Sequence, residues 1–173
     1  MAMHVVRLLA REEIARETIA LHFERPESFE FKPGQYVSLR LIDPPETDDE
    51  GNSRYFSITT APHEPNLTFA TRVRNTAMKR VLNSTPLGTE VKITGPFGAF
   101  TLDADATRPV VFIAGGIGIT PFRSMVVHAA HERLPHRIWL FYSNRTPEDA
   151  AFLQELQSLE APGPELQAGS GDD

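Results

Sequence analysis

The sequence of 173 residues contains no cysteine. Disulfide bonds, thiolate metal sites and cysteine nucleophiles are therefore excluded. A surplus of basic residues is also absent, because 17 lysine and arginine residues stand against 23 aspartate and glutamate residues, which gives a net charge of -6. The chain thus offers no overall positive field to nucleic acid or anionic lipid, and any phosphate group that it binds must be held by local contacts.

Long apolar runs are missing as well. The longest, VVFIAGGIGI and SMVVHAA, fall well short of the roughly 20 residues that span a bilayer. The N-terminal stretch MAMHVVRLLAREE acquires charge too soon for a signal peptide, so we expect a cytoplasmic protein with no nucleic-acid or membrane partner. His128 and His131 are the one close histidine pair. Without a carboxylate in ligand spacing they favour a solvated helix face, and no metal is expected.

The first hundred residues consist of short β-prone segments separated by turn signals. Six segments show period-two alternation or β-branched and aromatic enrichment: HVVRLL, TIALHF, QYVSLRL, RYFSITT, LTFATRVR and EVKIT. We interpret DPPETDDEGNS (43–53) as an acidic solvated loop and TAMKRVLN (76–83) as a short helix with Thr76 as its N-cap. The pattern predicts a six-stranded antiparallel barrel over residues 1–105.

The pattern changes after residue 105. PVVFIAGG and RIWLFYS are typical of buried strands, and each precedes a predicted helix, TPFRSMVVHAAHERL and TPEDAAFLQELQSLE. Thr120 is expected to cap the first helix with Pro121 at its first position, and Thr146 to cap the second in the same way. The order predicts an incomplete parallel βαβα unit over residues 106–160, so the fold class is β plus α/β. Residues 161–173 are expected to form a disordered tail.

A parallel sheet of two strands would leave open edges and an apolar face with little cover. We therefore expect self-association, or a partner chain, to complete it.

A glycine-rich segment, AGGIGITP (114–121), lies between the first of these strands and its helix. Glycine lets a ligand approach the backbone, and a helix start offers free N–H groups to a diphosphate. The candidate nucleotide-binding residues are Gly115, Gly116, Gly118, Thr120 and Pro121. The alternative is a tight turn that needs glycine only for packing. Ser143 and Arg145 follow the second strand and either contact a ribose or its 2′-phosphate or are ordinary loop polarity.

Six motifs occur in a defined order along the chain. They are FKPGQY (31–36), R-x-[YF]-S (54–57), NTAMK (75–79), GPFGAF (95–100), AGGIGITPF (114–122) and YSNRTPED (142–149). Together, over about residues 4–157, they resemble the ferredoxin-NADP reductase family of flavoenzymes. The resemblance implies a flavin-binding barrel followed by a pyridine-nucleotide domain, here shortened at its C-terminus. It also implies FAD as the cofactor and NAD(P)H as the electron donor.

The resemblance assigns roles to the R-x-[YF]-S motif. It implies that Arg54 binds a flavin phosphate, which suits a guanidinium with several donors. Phe56 would pack along the flavin, and Ser57 would contact N5, the atom that accepts hydride, which makes it the one catalytic candidate. Tyr55 occupies the variable position of the motif and is included among the cofactor-binding candidates. From the residues alone, Arg54 could equally lie on a solvated strand face.

The resemblance also assigns the start of the first helix. Thr76, Ala77 and Met78 match the family's diphosphate-binding helix start, which favours FAD over FMN. Arg72 and Arg74 alternate along the preceding strand, so they are expected to share one face. They either line the outer edge of the flavin or are solvated.

These implications lead to three hypotheses about function. The first is a FAD-dependent NAD(P)H oxidoreductase that passes electrons to a redox protein or a small-molecule acceptor. The second is a flavin-binding electron-transfer module, or a subunit completed by a partner, without its own NAD(P)H turnover. Family members continue past the second helix with further parallel strands, which motivates this alternative. The third is a marginally folded remnant that binds nothing.

Overall fold

The computed structural model describes residues 2–160, and the tail expected over 161–173 lies outside them. The strands of the first part are β1 (Ala2–Ala15), β2 (Thr18–Phe23), β3 (Tyr36–Leu41), β4 (Ser53–Ser57), β5 (Leu67–Arg72) and β6 (Glu90–Phe97). Helix α1 (Ala77–Ser84) lies between β5 and β6. The second part contains β7 (Val110–Gly115), α2 (Thr120–His131), β8 (Ile138–Ser143) and α3 (Leu153–Ser158). None of the helices in the described part has the length and apolar character needed to cross a membrane.

The six N-terminal strands form one curled antiparallel sheet in the order β4-β3-β6-β1-β2-β5. Strand β1 is 14 residues long and pairs with β6 along its first half and with β2 along its second half, which lets the sheet bend. Just after β4, the Thr59 N–H donates a hydrogen bond of 2.9 Å to the Thr68 carbonyl in β5. The two outer strands therefore meet near this point, and the predicted six-stranded antiparallel barrel is confirmed as a curled half-barrel.

The barrel core is filled by alternating side chains of the strands and by one face of α1. Phe23 and Phe69 are fully buried, and their ring centroids lie 5.7 Å apart. Met78, Val81 and Leu82 of α1 belong to the same buried cluster. Each such side chain contributes roughly 1.5–3 kcal/mol when it is removed from water. Packing against the barrel, more than helix propensity, therefore holds this eight-residue helix in place.

Strands β7 and β8 form a parallel pair from Val110 opposite Ile138 to Gly115 opposite Ser143. Continuous burial was expected for both strands, but burial alternates along them. Ile113 is 76% exposed and Phe141 is 61% exposed. The reason is that α2 and α3 cover one face of this sheet, while the other lacks cover within residues 2–160. The expected shortage of cover is therefore observed.

The start of α2 differs from the prediction. A 3-10 turn over Gly116–Ile119 precedes the helix, and Ile119 stands at the N-cap position. Thr120 is thus the first helical residue rather than the cap, and its hydroxyl donates to the Ile117 carbonyl at 3.2 Å. Pro121 follows within the first turn, where its missing N–H costs nothing.

The last helix also begins later than expected. A 3-10 turn over Pro147–Asp149 follows Thr146, and α3 begins only at Leu153. Between them Phe152 adopts a left-handed backbone conformation with φ of 61°. Its ring centroid lies 5.2 Å from the Arg123 guanidinium of α2. Tertiary contact with α2 accompanies this break in a segment that the local pattern predicts to be one helix.

Gly34 provides a test of how closely the two parts of the chain pack. Its φ is 96°, and a Cβ at this position would lie 2.1 Å from the Phe100 carbonyl oxygen and 2.2 Å from the Met125 side chain. Gly34→Ala should lower the free energy of unfolding by about 3 kcal/mol or more, because backbone strain and overpacking add. Urea denaturation measures this loss.

Gly88→Ala is the matched control for Gly34→Ala. Gly88 has φ of 86°, but no atom lies within 4 Å of its added Cβ. Its cost should be the backbone strain alone, about 1–2 kcal/mol. Equal losses in the two variants would contradict the close approach at Gly34.

Candidate functional site

The Arg54 guanidinium, on the terminal strand β4, is turned toward the acidic loop that precedes it. Its Nη1 donates to the carbonyls of Glu50 at 2.7 Å and Ser53 at 2.8 Å. Its Nη2 lies 2.5 Å from a Glu50 carboxylate oxygen and 3.5 Å from Asp48 Oδ1. The Arg54 side chain is 24% exposed. Arg54 is therefore fixed by local counter-charges and does not lie free on a solvated strand face.

Asp48 links this arginine to the start of α1. Its Oδ2 accepts a hydrogen bond of 2.9 Å from the Ala77 N–H. Thr76 stands at the N-cap position but makes no side-chain cap hydrogen bond, so Asp48 provides the cap from 29 residues earlier in the chain. The hydrogen bond from Ala77 lowers the pKa of Asp48, and the nearby Arg54 adds to this. Arg54 and the start of α1 therefore converge on one ionised carboxylate.

Two further cations lie around the start of α1. Burial lowers the pKa of the Lys79 ammonium, and the neighbouring charges of Arg74 and Arg54 lower it further. A lysine in the first turn is unfavourable for the helix dipole unless an anion lies nearby. Here the Asp48 carboxylate binds the helix start, and the Glu50 carboxylate is the anion that acts on Lys79. The Asp48 carboxylate acts as a stand-in for a phosphate group, and the donors around it are of the kind that phosphate requires. The residues present therefore fit a flavin phosphate.

The two aromatic residues of the R-x-[YF]-S motif are placed differently from each other. Phe56 is 8% exposed and packs in the barrel core, with its ring centroid 6.2 Å from that of Phe69. Tyr55 is 73% exposed, and its ring meets Tyr36 edge to face at 5.5 Å. The aromatic surface available to a ligand at this strand is therefore that of Tyr55 and Tyr36. Little of the Phe56 ring is accessible, because its side chain points into the core.

Ser57 is the last residue of β4 and pairs with Tyr36 of β3. Strand alternation places Ser57 and Arg54 on opposite faces of the sheet. β4 is a terminal strand of the sheet, and the structure does not bring the Ser57 and Arg54 side chains to one point.

The glycine-rich segment lies at the carboxyl ends of the two parallel strands, where open α/β sheets bind ligands. Gly115, the last residue of β7, pairs with Ser143 at the end of β8. A Cβ added at Gly115 or Gly118 would meet no atom within 4 Å, so this backbone is open to a ligand. Ser143 and Arg145 are exposed at the same edge. Thr120 is 6% exposed, and its hydroxyl is engaged within the turn rather than presented to the surface.

Arg72 and Arg74 do not share a site. Strand β5 ends at Arg72, so its alternation does not extend to Arg74. A Cβ at Gly116, whose φ is 50°, would lie 2.9 Å from an Arg72 guanidinium nitrogen, which can move, so glycine is favoured here by the backbone conformation. Arg72 thus reaches from the barrel to the glycine-rich segment. Arg74 instead lies near the start of α1, where its charge helps to lower the pKa of Lys79.

Arg123 of α2 joins the two parts of the chain. It is 8% exposed and donates to the Thr59 carbonyl at 2.9 Å. Its other donors bind Glu64 at 2.9 Å and Glu155 at 2.6 Å. Burial would lower the pKa of Arg123, but the hydrogen bonds to the two carboxylates outweigh it and raise the pKa. The helix that follows the glycine-rich segment is therefore anchored close to the end of β4, which carries Ser57.

The histidines do not form a metal centre in the described part of the chain. The ring of His131 stacks on that of His63 with centroids 3.6 Å apart. Within residues 2–160, no group of three or more potential ligand side chains is arranged to hold a metal ion.

Sequence models of two domain families match the chain. The oxidoreductase FAD-binding domain matches residues 5–102, and the oxidoreductase NAD-binding domain matches residues 112–168. The chain belongs to the ferredoxin-NADP reductase family of flavin-binding oxidoreductases.

Individual relatives agree with this membership. The chain is 33% identical over 157 residues to ferredoxin--NADP reductase B of Sorangium cellulosum, a match that covers 88% of this chain and 63% of that protein. It is 32% identical over 158 residues to the reductase component of propane 2-monooxygenase from Gordonia sp., covering 88% of this chain and 44% of that protein. The chain thus spans less than two thirds of the length of these family members.

Solved structures show the same fold. A flavohemoglobin from Malassezia yamatoensis with bound FAD and heme superposes with a TM-score of 0.76 at 21% identity, covering 92% of this chain and 42% of that one. Ferredoxin-NADP+ reductase from Plasmodium falciparum gives a TM-score of 0.76 at 20% identity, covering 89% of this chain and 63% of that one.

The contact between Glu64 and Arg123 makes stability depend on pH. Burial would raise the pKa of Glu64, but hydrogen bonds from Arg123 and from the Ala61 N–H outweigh it and hold the pKa below its usual 4.5. A carboxylate with a depressed pKa stabilises the fold above its unfolded pKa and ceases to do so as pH falls through its folded pKa. Glu64→Gln should cost about 2 kcal/mol at neutral pH. Below about pH 4.5 the difference from the wild type should shrink.

Urea denaturation at neutral and acidic pH measures both effects. Glu27→Gln is the control, because it removes the same charge from an exposed loop position. A Glu64→Gln variant that differs from the wild type by the same amount at both pH values would show that the ion pair with Arg123 does not stabilise the fold.

Proposed function

We propose that the chain is a FAD-dependent NAD(P)H oxidoreductase, in which bound flavin takes hydride at N5 and passes electrons to a redox-protein or small-molecule acceptor. The observation that carries this proposal is the convergence of Arg54 and the Ala77 N–H on one anion within the FAD-binding domain. The relatives named as reductase components of oxygenases support a redox-protein acceptor. A cytoplasmic location, where NAD(P)H is abundant, belongs to the same proposal.

The barrel, residues 1–105, would hold the flavin. Arg54 and Lys79 supply positive charge to its phosphates, and the Ala77 N–H supplies a backbone donor at the start of α1. Tyr55 offers an exposed ring along the edge of β4. Ser57, at the end of the same strand, would donate its hydroxyl to N5 and orient the ring system.

The second unit, residues 106–160, would hold the pyridine nucleotide. Gly115 and Gly118 leave the backbone open to a diphosphate, and Arg72 brings a positive charge from the barrel to the same segment. Ser143 and Arg145 are exposed at the neighbouring strand end and would contact the ribose or its 2′-phosphate. Both halves of the chain would therefore contact the electron donor.

Arg123 would control the distance between the two sites. Its hydrogen bonds fix α2 against Thr59, two residues after Ser57. The helix fixed in this way begins directly after the glycine-rich segment. Hydride transfer is sensitive to displacements of about 1 Å, so a buried anchor between the donor and acceptor sites favours catalysis.

A second candidate function follows from the exposed face of the parallel sheet. Trp139 is 47% exposed and Ile113 is 76% exposed, which is unusual for side chains of a central sheet. This exposure favours a flavin-binding electron-transfer module, or a subunit whose sheet is completed by a partner chain or a second copy. Such a protein would bind flavin without its own NAD(P)H turnover.

The visible spectrum of the purified protein distinguishes these functions. We expect the protein reconstituted with FAD to be yellow and to bleach on anaerobic addition of NADH or NADPH. Bleaching by dithionite alone would support the electron-transfer module instead. A folded protein that takes up no FAD would contradict both.

Ser57 provides a more specific test. Ser57→Ala should retain FAD, because the phosphate contacts of Arg54 are unchanged. Flavin reduction by NAD(P)H, followed by stopped-flow absorbance, should slow by about tenfold to a hundredfold, since a hydrogen bond to the reacting atom is lost. Ser53→Ala is the control on the same strand, because the Ser53 hydroxyl bonds to Ser38 at 2.9 Å and is not assigned to the flavin. Wild-type rates in both variants would remove Ser57 from the mechanism.

A further inference from the structure

We propose that Asp48 determines the affinity of this site for phosphate-bearing flavins, because it holds the donors that a flavin phosphate would use. The proposal deepens the flavin-binding function proposed above and rests on it. Asp48 acts as an internal anion that competes with the ligand.

The competition follows from the number of hydrogens available. The Ala77 N–H has one hydrogen, and it is donated to Asp48 Oδ2 at 2.9 Å. A phosphate oxygen cannot accept this hydrogen at full strength while the carboxylate retains it. Arg54 has more donors, but they already make five contacts with the acidic loop, namely with the carbonyls of Glu50, Gly51 and Ser53 and with the carboxylates of Glu50 and Asp48. Asp48 must therefore leave before a phosphate can bind to both groups.

The acidic loop is attached to the same helix at a second place. Glu46 accepts two hydrogen bonds from Arg80 of α1, at 3.0 Å and 2.5 Å. This attachment keeps Asp48 near Ala77 even when its own contact opens. A tethered competitor of this kind behaves as if present at millimolar concentration. A free flavin phosphate has to overcome that local concentration.

The competitor is weaker than the ligand it opposes. A diphosphate carries more charge than one carboxylate and offers more acceptor oxygens to Arg54 and Lys79. Asp48 should therefore reduce FAD affinity without abolishing it. Once displaced, its negative charge stays close to the phosphates because Glu46 still holds the loop, which adds repulsion. Riboflavin has no phosphate, so Asp48 should have no effect on its binding.

The experiment measures flavin affinity in the wild type and in the Asp48→Asn and Asp48→Ala variants of the full chain. Each protein is stripped of flavin and then titrated with FAD, FMN or riboflavin, and binding is followed by fluorescence quenching. Asparagine removes the charge but keeps an acceptor for Ala77, so it guards against loss of folding. Alanine removes both. We expect FAD and FMN to bind roughly tenfold more tightly to the alanine variant, with a smaller gain for asparagine and faster association in both. Riboflavin affinity should not change.

Asp49→Asn is the matched control, since it removes the same charge from an exposed position of the same loop, whereas the carboxylates bonded to Arg54 and Ala77 are those of Glu50 and Asp48. An equal gain in this variant would show a general charge effect and overturn the proposal. Weaker or unchanged FAD binding in the Asp48 variants, or a parallel gain for riboflavin, would also overturn it. If the wild type and all variants bind no flavin, the flavin-binding function itself fails. If the wild type binds FAD and the Asp48 variants bind it with the same affinity, only the role of Asp48 is refuted.

Discussion

The burial of Arg123 between two carboxylates and a backbone carbonyl is the constraint on which the arrangement of the chain depends. A guanidinium that is 8% exposed would be strongly destabilising without partners. Those partners come from separate elements, since Thr59 and Glu64 follow β4 in the barrel and Glu155 belongs to α3. The barrel, α2 and α3 therefore have to take one relative position for this charge to be satisfied.

The same constraint determines where ligands can meet. Next to Arg123, the Ser124 hydroxyl donates to the Thr60 carbonyl at 2.6 Å, so α2 is fixed to the barrel by two successive residues. From the other direction, Arg72 extends from β5 to Gly116. The outer edge of the sheet and the glycine-rich segment are thereby brought side by side. This juxtaposition arises from polar contacts and also from apolar ones, because Ile14 and Ala15 of β1 pack against the cluster that contains Ile119.

Local patterns predicted the order and type of the elements, because strand alternation and turn chemistry depend on neighbouring residues. Strand β2, for example, has the predicted bounds Thr18–Phe23. Helix starts were less predictable, since the 3-10 turn before Thr120 and the left-handed Phe152 accompany tertiary contacts. Asp48 gave no local signal, because its partner Ala77 lies 29 residues away and an acidic loop is normally solvated. Arg123 did give one, as it lies four residues after buried Ile119 on the same helix face.

The charges around α1 bear on how the proposed phosphate site fits an acidic chain. Arg54, Arg74 and Lys79 repel one another, and the depressed pKa of Lys79 reflects this repulsion together with burial. Carboxylates of the acidic loop reduce that repulsion while the ligand is away, which keeps the cations close together near a helix N-terminus. Under the proposal above, this arrangement lowers the affinity for phosphate, because the anion that stabilises the cation cluster occupies the donors that the ligand would use. Stability of the cation cluster and affinity for phosphate are therefore opposed through the same carboxylate.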